Sequence, residues 1–175
     1  SWKDWYDTLD SENITLNGFF SADTSYQKIL KAMAEMTDSA IYVEADNKIY
    51  FRRQLVGVNS YAGTVLDSDI IKLRTSGDAD DMCNEYIVPT SYTITNNTIV
   101  NTPHARLAHV NAASVNSFGK VSSEPTTNIL WYTNSANANN LAQRIVARRR
   151  EPEISLKVTT PIKYLQQQLG DLIYV

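Results

Sequence analysis

The stretch that most constrains this chain is a helix that runs into a proline and then into a strand. From Asn137 to Arg150 the sequence reads NANNLAQRIVARRR, with Leu141, Ala142, Ile145, Val146 and Arg149 at i, i+1, i+4, i+5 and i+8. That spacing lays one apolar stripe along a helix over residues 137–150. Ser135 or Asn137 is placed to cap its start, since a short side-chain oxygen accepts from free first-turn amides. Arg148, Arg149 and Arg150 fill the last turn, where the helix dipole favours cations. Pro152 forbids continuation and pushes Glu151 out of helical geometry. Ile154, Leu156 and Val158 then alternate with Ser155, Lys157 and Thr159, the period of a half-buried strand. Leu169-Gly170-Asp171 reads as a turn, and Leu172 to Val175 as a second strand beside the first.

A hydrophobic fraction of 43% with 20% charged residues over 175 positions supports a folded core and argues against wholesale disorder. The net charge of −3 gives no global attraction to nucleic acid or anionic lipid. A single cysteine, Cys83, excludes an intrachain disulfide. The lone cysteine carries the expectation of synthesis in the cytoplasm; no window has the apolar length of a membrane span, and no signal peptide is read at the start of the sequence.

Residues 1–22 form a leader in which Trp2, Trp5, Tyr6 and Leu9 fall at i, i+3, i+4 and i+7 of an amphipathic helix. Trp2, Trp5 and Tyr6 are the candidate partner-contact residues, because such aromatics dominate interface energetics. The alternative is that they pack on the chain's own core. Asn17-Gly18 marks a turn. Residues 23–66 hold a helix-plus-hairpin module. Thr24 caps a helix, with Gln27 reaching back, that carries Tyr26, Ile29, Leu30, Met33 and Met36 on one side. Ile41-Tyr42-Val43 and Ile49-Tyr50-Phe51 then flank a tight loop at Ala45–Lys48.

Residues 67–175 read as β-rich, with the helix at about 137–150 flanking them. Asp67 caps a short turn, and strands begin at Ile70, Ile71 and Leu73. A strand over Asn84–Val88 meets Pro89, which suggests an edge or a strand end. Tyr92–Ile94 and Thr98–Val100 make a hairpin about Asn96-Asn97.

Chemistry is sparse. Asp78, Asp80 and Asp81 lack the spacing of an EF-hand loop, and a solvated turn accounts for them. His104, His109 and Cys83 match no zinc spacing. There is no G-x-S-x-G elbow and no phosphate-binding glycine loop, so neither a catalytic residue, a cofactor nor a metal ligand is assigned. The run Arg148–Arg150 reads as a solvated helix end and not as a specific nucleic-acid contact.

Taken in order, these segments resemble the baseplate-hub and tail-associated proteins of tailed bacteriophages. The family pattern "a..lA.r.l.r...p", a strand and a closing "l.lGD.v.v" is met by Leu141, Ala142, Arg144, Ile145, Arg148, Pro152, Leu169, Gly170, Asp171, Ile173 and Val175. Upstream, Asp69-Ile70-Ile71 with Asn84–Val88, and Ala113–Gly119, are similar to further family segments. The helix-hairpin module also resembles the family, although Thr37-Asp38-Ser39 lacks its usual glycine at the helix exit.

The resemblance implies an α+β fold in which a small helix-plus-β-hairpin module precedes a β-barrel-like, tail-tube-like domain with a flanking helix. It implies a structural, non-enzymatic hub subunit in the virion tail. Its partners would be other tail or baseplate proteins, and the full-length protein would be a homotrimer around the tail channel. The alternative is a carbohydrate- or host-surface-binding module at the tail tip, with Trp2, Trp5, Trp131 and Tyr132 exposed to stack on sugars. A third reading is a peptidoglycan hydrolase domain. The apolar run Leu172–Val175 and the initial Ser1 carry the expectation of an internal segment of a longer protein.

Overall fold

The computed structural model describes residues 2–43, 47–53, 63–78, 81–96, 98–126, 129–161 and 173–174. The N-terminal part comprises α1 (Trp2–Ser11), β1 (Leu16–Gly18), α2 (Tyr26–Thr37) and an antiparallel hairpin of β2 (Ser39–Val43) and β3 (Ile49–Arg53). After β4 (Gly63–Thr64) and a 3-10 turn at Asp67–Asp69 come β5 (Lys72–Asp78), β6 (Glu85–Thr95) and β7 (Thr98–Val110). The chain continues through α3 (Ala112–Phe118), β8 (Ser122–Ser123), β9 (Leu130–Tyr132), α4 (Ser135–Arg149), β10 (Glu153–Thr159) and β11 (Ile173–Tyr174). The class is α+β. Among the described residues the strands form small sheets of two or three, and none closes into a barrel.

The helices form where the apolar stripes lie, although the stripe residues Tyr6 and Tyr26 stand exposed, and the caps are displaced by a residue or more. Ser25, not Thr24, caps α2, its side chain accepting from the Lys28 amide. Asn134 caps α4, ahead of both expected residues, and accepts from Ala136. At the 3-10 turn, Leu66 occupies the capping position and no side chain caps, so Asp67 lies within the turn.

The stripe of α4 is fully used: Leu141, Ala142, Ile145 and Val146 are all buried. They meet Ala32 and Met36 of α2, Tyr86 and Val88 of β6, and Leu130 and Tyr132 of β9. Burying each large aliphatic contributes about 1.5–3 kcal/mol. Ile14 and Leu16 pack on the same cluster. One core thus draws on the leader, the helix-hairpin module and the β-rich part together. A second cluster joins Trp5 and Leu9 of α1 to Phe51 of β3, with the Trp5 and Phe51 ring centroids 4.8 Å apart.

Three expectations change. Asn17-Gly18 is not a turn but part of β1, which pairs antiparallel with β9, Gly18 opposite Leu130. A Cβ at Gly18 would lie 2.5 Å from Leu130 Cδ2 and 3.2 Å from the Ile129 carbonyl oxygen, so glycine allows the close approach. Pro89 marks no strand end, while the edge alternative agrees with the pairing, since β8 flanks β6 only at Glu85 and Tyr86. β6 runs on through the proline as one arm of a long hairpin with β7, and register shifts between Pro89 and Ile94 absorb the missing donor. The last two strands are not partners. β10 pairs antiparallel with β5, Ser155 opposite Ser76, and β11 pairs parallel with β4. The turn at Leu169–Asp171 lies outside the described residues, as does most of the loop between β2 and β3.

Candidate functional site

The strongly polar cluster nearest the helix-helix contact of the described fold is built on Asp38. This residue ends α2 in left-handed geometry (φ 50, ψ 51), and its N–H closes back on Ala34 and Glu35. Left-handed backbone at a helix exit usually selects glycine, and aspartate is among the few other residues that tolerate it. The turn aims the carboxylate at α4. Arg148 grips it in bidentate fashion, Nη2 to Oδ1 at 2.7 Å and Nη1 to Oδ2 at 2.9 Å. The Arg144 Nε lies 3.5 Å from Oδ2. Asp38 is 4% exposed, so two cations hold a nearly buried anion and bolt the end of α2 to α4. The tyrosine beneath is held as well: the Tyr132 hydroxyl donates to the Met36 carbonyl, and burial pushes its pKa up.

Beside this cluster opens a cleft of about 690 Å³ between α2, the start of β2, β6, residues 123–126 and the end of α4. Leu30, Ala34, Ile41 and Ile145 supply apolar lining, and Lys31, Glu35, Glu124 and Arg149 charged lining. Each carboxylate of the lining has a partner. Lys31 lies 3.9 Å from Glu35, which also accepts from the Thr126 hydroxyl. Glu124 lies 3.8 Å from Arg106, and Asp38 is taken by α4.

A second polar knot ties α3 and the end of α4 to β6. Asn84, fully buried, donates to the Gly119 carbonyl at 2.7 Å and to Ser114 Oγ at 3.3 Å, while its Oδ1 accepts from Val121 at 2.8 Å. The closing carbonyls of α4 are satisfied here too: Arg149 accepts from the Cys83 amide and Arg150 from the Ser114 hydroxyl. Next to it Glu85 is held below the usual glutamate pKa by hydrogen bonds from Lys120, at 2.8 Å, and from Ser122.

Of the aromatic residues singled out in the sequence, Trp5 is a core residue. It is 6% exposed, and its Nε1 donates to Ser39 Oγ at 3.0 Å. It is therefore closed to a partner in this fold. Tyr6, one residue on, is 58% exposed. Trp2 lies on α1, and its side chain is outside the described residues. Trp131 and Tyr132 are buried in β9, so neither offers an open face for stacking on a sugar. Cys83 is buried, and burial raises its thiol pKa. Among the described residues no three of His, Cys, Asp and Glu come together as metal ligands. Nor is any helix among them long and apolar enough to cross a membrane.

Sequence reasoning missed the Asp38 cluster and the cleft. The available signal was the aspartate standing where a helix exit usually has glycine. The outer surface shows a different kind of feature. β5 and β10 make a seven-pair antiparallel ribbon that joins no third strand among the described residues, with Leu73 on it and Ile71 beside it both exposed. The chain matches no known protein-family profile and no curated protein sequence.

Proposed function

We propose that this chain is a structural segment of a baseplate hub in a phage or phage-like tail, acting by assembly and without catalysis of its own. The observation that carries the reading is the β5–β10 ribbon. A two-stranded ribbon is marginal by itself in water, and its outer edges are templates for strands of another chain. Exposed Ile71 and Leu73 add apolar area where such a neighbour would sit. β10 is also the strand that follows the helix and Pro152 in the order resembling the tail proteins. On this reading the tube-like β-domain is completed only in the ring, by strands of adjacent copies in a homotrimer. The site of action is the virion tail, after synthesis in the bacterial cytoplasm.

Light scattering on the full-length gene product tests the assembly. A trimer is expected, and Leu73→Lys should shift it toward monomer while the far-ultraviolet circular dichroism is unchanged. Immunogold labelling of particles released by the producing cells should mark the tail tip. A strictly monomeric product at high concentration, or labelling that never follows tails, would sink the proposal.

A further inference from the structure

The cleft between α2 and α4 contains two groups that the packing leaves unused. Tyr86 lines it and is 5% exposed, yet its hydroxyl makes no hydrogen bond to any described residue. Its ring is enclosed while its oxygen still reaches the cleft, where it is free to donate. Arg149 lines the same cleft, and no carboxylate of the described residues pairs with it, although the other charges of the lining are matched. Its positive charge is felt at Tyr86, where it opposes the upward push on the phenol pKa from burial and from Glu35. A donor and a cation therefore line one cavity, in which Leu30, Ala34, Ile41, Pro125 and Ile145 supply an apolar part of a wall that is otherwise polar or charged. The volume of about 690 Å³ falls within the range of small-molecule sites.

The geometry points to a binding site for a small apolar carboxylate, its body against Leu30, Ala34, Ile41 and Ile145 and its carboxylate on Tyr86 and Arg149. The ligand's anion would complete the unmatched charge of Arg149 and accept from the Tyr86 hydroxyl in one step. Glu35 acts on Tyr86 more strongly than Arg149 does, but Lys31 and Thr126 engage it, so the ligand's carboxylate would sit toward Arg149. A cationic ligand would meet Arg149 unshielded. A fully apolar one would cover the Tyr86 hydroxyl and the half-buried Arg149 without giving either a partner. This inference rests on the cleft alone and is independent of the tail reading.

The probe is 3-phenylpropionate, compared with 3-phenylpropanamide and 3-phenylpropylamine, titrated into the protein and followed by amide chemical shifts. The carboxylate should saturate below about 10 mM, with shifts centred on Leu30, Tyr86 and Arg149. The amide and the amine should bind at least about tenfold more weakly, since a hydrogen bond to a charged group discriminates by that order. Arg149→Gln should weaken the carboxylate by about tenfold or more, Arg149→Lys should restore part of the loss, and Tyr86→Phe should weaken it about threefold or more. The carbonyl of Arg149 that ties α4 to Cys83 is backbone and survives both arginine changes. Should Arg149→Gln fail to fold, the ligand comparison on the unaltered protein still decides. Equal binding of amide and carboxylate, scattered shifts without saturation, or indifference to the variants overturns the assignment.

Discussion

Replacing Arg148 isolates what the Asp38 cluster contributes. As a cation in the last turn of an arginine-rich helix, Arg148 reads from sequence as solvated, and its loss should then cost under about 1 kcal/mol. The structure predicts more. Arg148 makes both hydrogen bonds of a bidentate pair, at 2.7 and 2.9 Å, to a carboxylate whose side chain is 3% exposed. Breaking a buried pair costs about 3–5 kcal/mol, because the stranded charge loses its compensation. Arg144 at 3.5 Å softens that loss, and Arg148 itself is 26% exposed, which puts Arg148→Ala at about 2–3 kcal/mol. Asp38→Asn is the right partner change, since asparagine tolerates the left-handed backbone and removes only the charge. It should cost a similar amount, and the double variant should fall short of the sum by about 1.5 kcal/mol or more. Urea unfolding of the four proteins measures this. Because the pair is largely shielded from solvent, most of the coupling should persist in 1 M salt. An Arg148→Ala cost under about 0.5 kcal/mol, or strict additivity, would refute the reasoning.

Three other outcomes follow from the packing. Ile145→Ala removes a buried side chain from the α4 stripe and should cost about 2–5 kcal/mol in the same urea assay. Asn84→Ala strands the Val121 amide and the Gly119 carbonyl and should cost about 3 kcal/mol or more, with faster hydrogen exchange at Val121. Glu85 has a depressed pKa in the fold, so its contribution is present above the ordinary glutamate value of about 4.5 and is lost as pH falls through the lower folded value. Glu85→Gln should therefore be less stable than the parent near neutral pH, and the gap should close in acid.

Residues whose partners lie nearby in sequence were legible in advance. The stripes of α1, α2 and α4 and the alternation of β2 and β3 express a period, and a period survives without tertiary knowledge. Caps were misplaced because Thr24 and Ser25, or Asn134 and Ser135, are chemically equivalent neighbours, and only geometry chooses between them. The strand-end alternative at Pro89 failed for a physical reason: proline forfeits a ladder donor, and the shifts in register that accommodate this leave no mark in composition. β7 was seen only at Thr98–Val100, although it extends to Val110. The Asp38–Arg148 pair spans 110 positions, and Tyr86 meets Arg149 only once α4 has docked. Such a site belongs to topology and not to any local pattern.

The ladder of β1 with β9 has a consequence for how the chain is made. Leu16 leaves the ribosome long before Tyr132, its partner roughly 115 positions downstream, and at about 5–20 residues per second the wait is about 6–23 s. For that interval Leu16 lacks the surface it packs on, while Trp5 and Leu9, with Ile14 against them, can already meet Phe51 once the first hairpin is out. The α1–β3 cluster would then hold the leader back from early aggregation until β9 and α4 arrive. A nascent chain arrested before residue 130 should accordingly show the Trp5–Phe51 contact and an unprotected β1, giving synthesis a defined order in which the N-terminal strand is seated among the last.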